Sequence, residues 1–296
     1  MNRAELELIF KTFAGCHIGV IGDFCVDAYW TLDTSEREIS VETGKPTHAV
    51  TRQRYTPGGA GNITANIAAL NVGSVHAISI TGDDMFGYQL FNLFDQLGID
   101  RSGMVQDDEW QTAVYCKRYR DSEELERIDI GRFNRVHPQA EQKLLSAIDK
   151  AITELDVLIC NSQIAGGVYS EAVLNHLLEL AKKQDHCKIV LDFRNLPPHF
   201  ENFYVKLNAN EAANYYGDRY EIDAPIPEDN IKCYAEHIYA TSQKPVMVTR
   251  GKLGMVVYDG ENHVTIPGFQ FLKPIDSVGA GDTTAAAWGA CLASNT

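Results

Sequence analysis

Short apolar runs alternate with amphipathic stretches along most of the chain. The run HIGVIG at residues 17–22 ends in glycine and predicts a buried first strand. Further strands are predicted by apolar or alternating runs at 75–80, 157–160, 188–192, 204–207, 245–249, 254–258 and 263–267. Apolar residues at helical spacing predict helices within 58–70, 83–97, 170–184, 209–216 and 228–242. This alternation predicts an α/β fold with a mostly parallel central sheet covered by helices on both faces.

Two segments, residues 27–56 and 111–132, interrupt the alternation. Both are rich in Thr, Tyr, Val and charged residues, and their polarity follows a two-residue rhythm. We expect them to pair into a small β-sheet lid over a ligand cleft; a pair of surface hairpins is the alternative. Because the chain contains no internal repeat or low-complexity linker, residues 1–296 are predicted to form a single domain.

Composition excludes several classes of function. The net charge of −14 argues against broad binding to nucleic acid or to anionic membranes, since both need a basic surface. The seven cysteines are scattered and show no CxxC spacing, which is typical of a protein in a reducing compartment. The sequence also lacks an 18-residue apolar stretch and an apolar signal-peptide core at its start. We therefore expect a cytoplasmic protein.

The stretch DSVGAGDTT at residues 276–284 carries the strongest chemical signal. It leads from a turn of small residues into a run of good helix formers, so the amides of Gly279, Ala280 and Gly281 gather at a helix start. Such amides, together with the helix dipole, favour phosphate oxygens. Asp282 lies at the same place and is a candidate general base for an attacking hydroxyl group. The alternative is a tight turn followed by an ordinary N-cap.

A second glycine-rich segment, PGGAGN at residues 57–62, precedes a predicted helix. Gly58 and Gly59 permit close approach of a ligand to the backbone, and Asn62 is suited to bind a sugar hydroxyl or to cap the helix. The order of glycines matches neither a dinucleotide fingerprint nor a Walker A loop. Asp27 follows the first strand, where a carboxylate can accept hydrogen bonds from two sugar hydroxyls; the alternative is a turn residue.

Two further motifs lie in the C-terminal half. Asn208 and Glu211 share a helical face and suit the outer shell of a hydrated Mg²⁺, although a capping box fits their spacing equally well. The segment TRGKLG at residues 249–254 follows a strand and is a candidate for contacts with nucleotide phosphates. A plain hairpin turn is the alternative.

Taken together, GGAGN (58–62), NANE (208–211), TRGKLG (249–254) and DSVGAGD (276–282) resemble the motifs of ribokinase-like, or PfkB, carbohydrate kinases. The resemblance covers essentially the whole chain. Gly22-Asp23 with Asp27, Tyr29 and Trp30, followed by ISVE at 39–42, is most similar to the heptose-7-phosphate kinase branch, the kinase half of the ADP-heptose synthesis protein. Relatives continue beyond the position of Thr296, so the C-terminal elements of the family are expected to be absent.

The resemblance implies a role for each matched residue. Asp282 would be the general base, and the amides of Gly279, Ala280 and Gly281 would hold the migrating phosphoryl group. Residues that would contact sugar hydroxyls are Asp27, Gly58, Gly59 and Asn62. Residues that would contact ATP are Asn208, Glu211, Thr249, Gly251 and Gly254. Asn208 and Glu211 would also organise Mg²⁺ through water, and Asp276 would contribute to a K⁺ site.

The sequence thus predicts a kinase that transfers the γ-phosphoryl group of ATP to a hydroxyl of a sugar or sugar phosphate. The alternatives are heptose-7-phosphate 1-kinase specifically, a nucleoside kinase, and a catalytically weak sugar- or nucleotide-binding sensor. Arg118, Arg127, Arg132 and Arg194 are candidates for holding a phosphate already on the substrate, although surface ion pairs explain them as well. Exposed strands in the lid predict a homodimer.

Overall fold

The computed structural model describes residues 2–33, 35, 38–121, 123–164, 167–183, 186–221, 224–269 and 278–296. The strands are β1 (His17–Gly22), β2 (Phe24–Leu32), β3 (Val50–Gly59), β4 (Ser74–Gly82), β5 (Asp100–Asp107), β6 (Ala113–Arg120), β7 (Glu123–Glu124), β8 (Ile128–Ile130), β9 (Val157–Ser162), β10 (Lys188–Phe193), β11 (Tyr204–Asn208), β12 (Val246–Thr249), β13 (Met255–Tyr258) and β14 (His263–Ile266). The helices are α1 (Arg3–Phe13), α2 (Ala60–Ala69), α3 (Met85–Leu97), α4 (Pro138–Ile152), α5 (Glu171–Lys183), α6 (Ala209–Tyr216), α7 (Glu228–Ser242) and α8 (Ala280–Ser294).

The main sheet has nine strands in the order β14-β13-β12-β11-β10-β9-β1-β4-β5. From β5 to β12 the neighbouring strands are parallel, and among the described strands of this sheet only β13 runs in the opposite direction, antiparallel to both β12 and β14. Successive side chains of β1 enter opposite layers, since Ile18 and Val20 pack in one core and Ile21 in the other. One core contains buried residues of α1, α2, α3 and α8, and the other those of α4, α5, α6 and α7. The predicted α/β fold with helices on both faces is confirmed.

A second sheet has the strand order β3-β2-β6-β7, with β8 paired to β6. Its strands come from the two segments that interrupt the α/β alternation and from the residues beside them. β2 runs antiparallel to β3 and parallel to β6. Only Asp23 separates β2 from β1, so the two sheets meet directly at the end of a central strand of the main sheet.

Three elements have no counterpart among the predicted strands and helices: α1, β5 and α4. In α4 the buried residues Ala140, Leu144, Ile148 and Ile152 recur every four residues, but they form a narrow stripe among polar side chains. β5 is an edge strand with several exposed positions, so it lacks the apolar run of a central strand. Among the described helices, none combines the length and apolarity needed to cross a bilayer.

The buried stripe of α4 predicts a specific stability effect. Ile148 is fully buried, so Ile148→Ala should lower the free energy of unfolding by about 2–5 kcal/mol through lost burial and a residual cavity. Ile148→Val should cost only about 0.5–1.5 kcal/mol. Urea unfolding monitored by circular dichroism measures both values. Gln142→Ala, at an exposed position of the same helix, is the control and should stay within about 0.5 kcal/mol of the wild type.

Candidate active site

The carboxyl ends of the central strands lie side by side. In the parallel register Gly22 pairs with Asn161, and Asn161 pairs with Asp192. The residues that follow these strands therefore meet at one edge of the sheet, where α/β proteins bind ligands. Asp23, Gln163 and Arg194 all come from this edge.

Helix α8 begins at the same edge, and no side chain of the described residues caps its first amides. Its N-cap, Gly279, has a φ of 81° and provides no side-chain hydrogen bond to the first turn. The left-handed conformation suits glycine, since a Cβ there is strained. The first amides of a helix have no partner within the helix, so those of Ala280, Gly281 and Asp282 are suited to an anion.

Asp282, in the first turn of α8, is half-buried and accepts hydrogen bonds from two amide side chains. Asn62 Nδ2 lies 3.2 Å from Oδ2, and Gln163 Nε2 lies 3.3 Å from Oδ1. Burial raises the pKa of Asp282 above the usual range for aspartate, and the nearby Asp192 carboxylate raises it further. Lys206 and the two amides lower this pKa, so they favour the ionised form.

A buried ion pair supports this corner of the site. Lys206 Nζ lies 2.8 Å from Asp192 Oδ1, and both side chains are less than 10% exposed, at 7% and 9%. Asn161 Nδ2 also donates to Asp192 Oδ2, at 3.3 Å. A Cβ placed on Gly281 would lie 3.2 Å from Lys206 Nζ, so the ammonium group reaches the first turn of α8. Sequence reasoning missed both Gln163 and Lys206; a lysine inside a predicted buried strand was the available signal for the second.

The proposed sugar-binding residues lie where the two sheets meet. Asp27 is 7% exposed, and its Oδ2 is 3.2 Å from Lys117 Nζ. Gly58 and Gly59 end β3, and a Cβ on Gly58 would lie 3.0 Å from the Asp27 carboxylate. Lys117 was not among the candidates from sequence, because β2 and β6 become neighbours only in the folded chain.

At the end of β11 and the start of α6, Asn208 and Glu211 form a capping box. Asn208 Oδ1 accepts from the Glu211 amide at 2.9 Å, and the Asn208 amide donates to Glu211 Oε2 at 2.7 Å. The capping box that fits the spacing of these residues is therefore present in the structure. Burial raises the pKa of Glu211, while Lys206 is among the groups that lower it.

The TRGKLG segment lies beside this capping box. Thr249 pairs with Asn208 in the parallel register, and Gly251 and Gly254 border a single 3₁₀ turn. Arg250 Nη1 lies 2.9 Å from Glu228 Oε2 and ties the turn to α7. Hydrogen bonds from Lys232, Thr265 and Arg250 lower the pKa of Glu228 to about 2. Asp276, the residue implied for K⁺, lies outside the described residues.

An open cavity of about 430 Å³ lies beside Gln163, and three of the four candidate arginines line it: Arg127, Arg132 and Arg194. Tyr115, Asp129, Ser162 and Asn195 line it as well. Arg127 is paired with Asp129 at 2.6 Å, whereas Arg132 and Arg194 form no ion pair within the described part of the chain. Arg118 instead donates to the main-chain oxygen of Glu126.

Amide donors at a helix start and a nearby aspartate at the carboxyl edge of a parallel sheet suit a phosphotransferase, which needs stabilisation of phosphoryl charge and a proton acceptor. The comparison with family models agrees: residues 18–296 match the pfkB family carbohydrate kinase model. The chain belongs to this family, and its enzymatic class is that of a sugar kinase.

The curated relatives are similar over nearly all of the chain. The Bifunctional protein HldE of Geobacter sulfurreducens is 28% identical over 300 residues, which cover 99% of this chain and 58% of the relative. The protein of the same name from Azorhizobium caulinodans is 31% identical over 281 residues, which cover 93% and 56%. The chain thus spans little more than half the length of these relatives.

Solved structures support the fold. Phosphofructokinase-2 from Escherichia coli in complex with fructose-6-phosphate superposes with a TM-score of 0.73 and 20% identity, over 95% of this chain and 88% of that one. The same enzyme in complex with potassium gives a TM-score of 0.74 and 20% identity, over 95% and 87%. At this level of identity, the likeness establishes the architecture of the chain.

The buried pair of Lys206 and Asp192 predicts that removing one partner lowers the free energy of unfolding much more than replacing both partners. Lys206→Met should lower the free energy of unfolding by about 3–5 kcal/mol, because it leaves the Asp192 charge buried without its partner. Adding Asp192→Asn should recover most of that loss. Chemical denaturation at pH 7 measures both. Lys183→Met, which removes an exposed ion pair with Glu179, should cost at most about 1 kcal/mol. Equal losses in the Lys206 single and double variants would contradict this account.

Proposed function

We propose that this chain is an ATP-dependent kinase whose acceptor is a sugar that already carries a phosphate, with Asp282 as the general base. The observation that carries the proposal is the position of Asp282: its carboxylate lies in the first turn of α8, beside uncapped amides, with a raised pKa. A general base works best when its pKa is closer to the working pH than that of an ordinary aspartate.

The chemistry assigned to these residues is a single in-line transfer. The acceptor O–H gives its proton to Asp282 while its oxygen bonds to the γ-phosphorus of ATP. The bond from that phosphorus to the bridging oxygen breaks, and ADP leaves with the electron pair. The amides of Gly279, Ala280 and Gly281 would stabilise the charge on the transferred group, and Lys206 adds a positive charge beside Gly281.

The charge of the arginine cavity favours an anionic acceptor. Arg132 and Arg194 provide two guanidinium groups without an ion-pair partner in the described part of the chain, and Arg127 adds a third that is shared with Asp129. Guanidinium groups bind phosphate through paired N–H donors. Gln163 lines the cavity and also contacts Asp282, so an acceptor whose phosphate is bound in the cavity would extend a hydroxyl toward the proposed base.

The residues on the nucleotide side fit Mg²⁺ bound mainly to phosphate oxygens and water. Among the described residues, no group of three or more His, Cys, Asp or Glu side chains is placed to hold a metal ion. Mg²⁺ at kinase sites commonly keeps several waters and takes phosphates as ligands. Asn208 and Glu211 would orient those waters, while Thr249, Gly251 and Gly254 would border the nucleotide. K⁺ is a further candidate, to be tested by comparing potassium with sodium buffers.

Two relatives named HldE and the resemblance to the heptose-7-phosphate kinase branch make a heptose 7-phosphate the first acceptor to test. The cytoplasm remains our proposed compartment, supported by seven free cysteines, of which five are buried. We also propose that the second sheet contributes to a homodimer. Its edge strand β3 exposes residues 50–54, and such an edge offers unpaired backbone groups to a partner.

The assignment of Asp282 predicts loss of turnover with retained binding. Asp282→Asn keeps the size of the side chain but removes the proton acceptor, so kcat should fall by about 10²–10⁴-fold. ATP consumption coupled to ADP detection, with a panel of sugars and sugar phosphates, measures the effect, and calorimetry measures ligand binding. Asp108→Asn changes an exposed aspartate that belongs to none of the candidate site residues, so it is the control and should keep wild-type turnover. Near-normal turnover of Asp282→Asn would refute the proposed base.

The arginine cavity predicts that the enzyme binds a phosphorylated acceptor more tightly than an uncharged one. Arg194→Gln should raise KM for a phosphorylated acceptor by about tenfold or more, because a charge-assisted hydrogen bond contributes about 1.5–3 kcal/mol. The KM for ATP should stay unchanged. Arg118→Gln is the matched control, since Arg118 contacts Glu126 and does not line the cavity. If Arg194→Gln leaves the acceptor KM unaltered, or if only unphosphorylated sugars are turned over, the phosphate assignment is wrong.

A further inference from the structure

Gln163 connects three parts of the site, although no motif marks it in the sequence. It follows β9, and its main-chain amide donates to Asp23 Oδ2 at 2.9 Å. Asp23 is buried at 4% exposure and also accepts from the amides of Ile164 and Val168, so it fixes the backbone after β9. With its backbone held there, the Gln163 side chain lines the arginine cavity and reaches Asp282.

Within the described residues, charged and amide groups from β10, β11, α2 and the loop after β9 face Asp282, and the Cys25 thiol on β2 lies near enough to interact with it. Asp192 on β10 repels the Asp282 carboxylate, and Lys206 on β11 attracts it. Because Lys206 is already bound to Asp192 at 2.8 Å, these two charges largely offset one another. Two neutral donors remain: Asn62 on α2 and Gln163 after β9. Each occupies a different carboxylate oxygen.

Asn62 and Gln163 differ in what else they contact. Asn62 belongs to the GGAGN segment, and its main-chain oxygen accepts from Asn66 within α2. Gln163 is the donor that lines the acceptor cavity. A hydrogen bond to the ionised form of an acid favours that form, and in a partly buried site its effect exceeds that in water.

We propose that Gln163 is a positioning residue for the reaction: its side-chain amide holds the Asp282 carboxylate ionised and aimed at the acceptor cavity. This inference rests on the proposed function of Asp282 and adds a residue that acts through it. Gln163 transfers no proton itself. Its role is to keep Asp282 ionised at pH values where burial would otherwise leave the carboxyl group protonated.

Substitutions at position 163 test the proposal by a pH titration that needs no acceptor. Gln163→Met keeps the length of the side chain and removes the donor, so the titration midpoint of Asp282 should move to higher pH. Gln163→Glu replaces the donor by a like charge and should move the midpoint further. NMR of protein labelled with ¹³C at aspartate carboxyls follows the titration, and the signal lost in Asp282→Asn provides the assignment.

The same variants can be tested kinetically with the acceptor that the panel of sugars and sugar phosphates identifies. On the acid limb of the kcat/KM profile, Gln163→Met should lower kcat/KM by about tenfold, whereas at high pH it should approach the wild type. A purely structural role would instead lower kcat/KM equally at all pH values. Thermal midpoints of the variants, expected to stay close to the wild type, separate this effect from misfolding.

Asn195→Asp is the matched control, because it adds a carboxylate to the same cavity without removing the donor to Asp282. It should move the Asp282 midpoint less than Gln163→Glu does. An unmoved midpoint in Gln163→Met, or an equal shift in Asn195→Asp and Gln163→Glu, would overturn the role of Gln163 alone. Wild-type turnover in Asp282→Asn would instead overturn the proposed function, whatever the titration shows.

Discussion

The site depends on the parallel register of the central strands. Gly22, Asn161 and Asp192 are paired across β1, β9 and β10, so the chain leaves these strands at one level of the sheet. A slip of one residue between two of these strands would turn Asn161 or Asp192 to the opposite face. The apolar cores on both sides oppose such a slip, since it would move Val, Ile and Leu side chains from one core into the other, where the packing does not fit them. Packing of the sheet thereby fixes the positions of polar residues that are distant in sequence.

Burial gives these polar residues their chemical character. A carboxylate removed from water is costly unless it is hydrogen-bonded or paired. Asp23 meets this requirement with three main-chain amides, and Asp192 meets it with Lys206 and Asn161. Asp282 has two neutral amide donors and an offset pair of charges nearby, so its pKa is raised by burial. Burial raises the pKa of Asp23 as well, but of these two carboxyl groups only Asp282 lies at the helix start.

Local patterns predicted much of the fold and the motifs around Asn208 and Asp282, because the signals for these features lie within short segments. The capping box of Asn208 and Glu211 and the uncapped turn before Asp282 are both visible within four residues. Gln163 and Asn62 lie 119 and 220 residues from Asp282 in the chain, so no spacing predicts either contact. For α4, the four-residue recurrence of apolar side chains was present, but its narrow stripe resembles an exposed polar segment.

The pair of Asp27 and Lys117 and the arginine cavity differ in charge, and under the proposed function this difference bears on how an acceptor is oriented. Asp27 and Lys117 form a pair that is close to neutral and offers both an acceptor and donors to hydroxyl groups. In the cavity, Arg132 and Arg194 provide positive charge without an ion-pair partner in the described part of the chain. A polyol with one anionic terminus would fit this arrangement in a single direction. Since electrostatic attraction to the arginines acts over a longer distance than hydrogen bonds to hydroxyls, the anionic end would engage first and bring a hydroxyl toward Asp282.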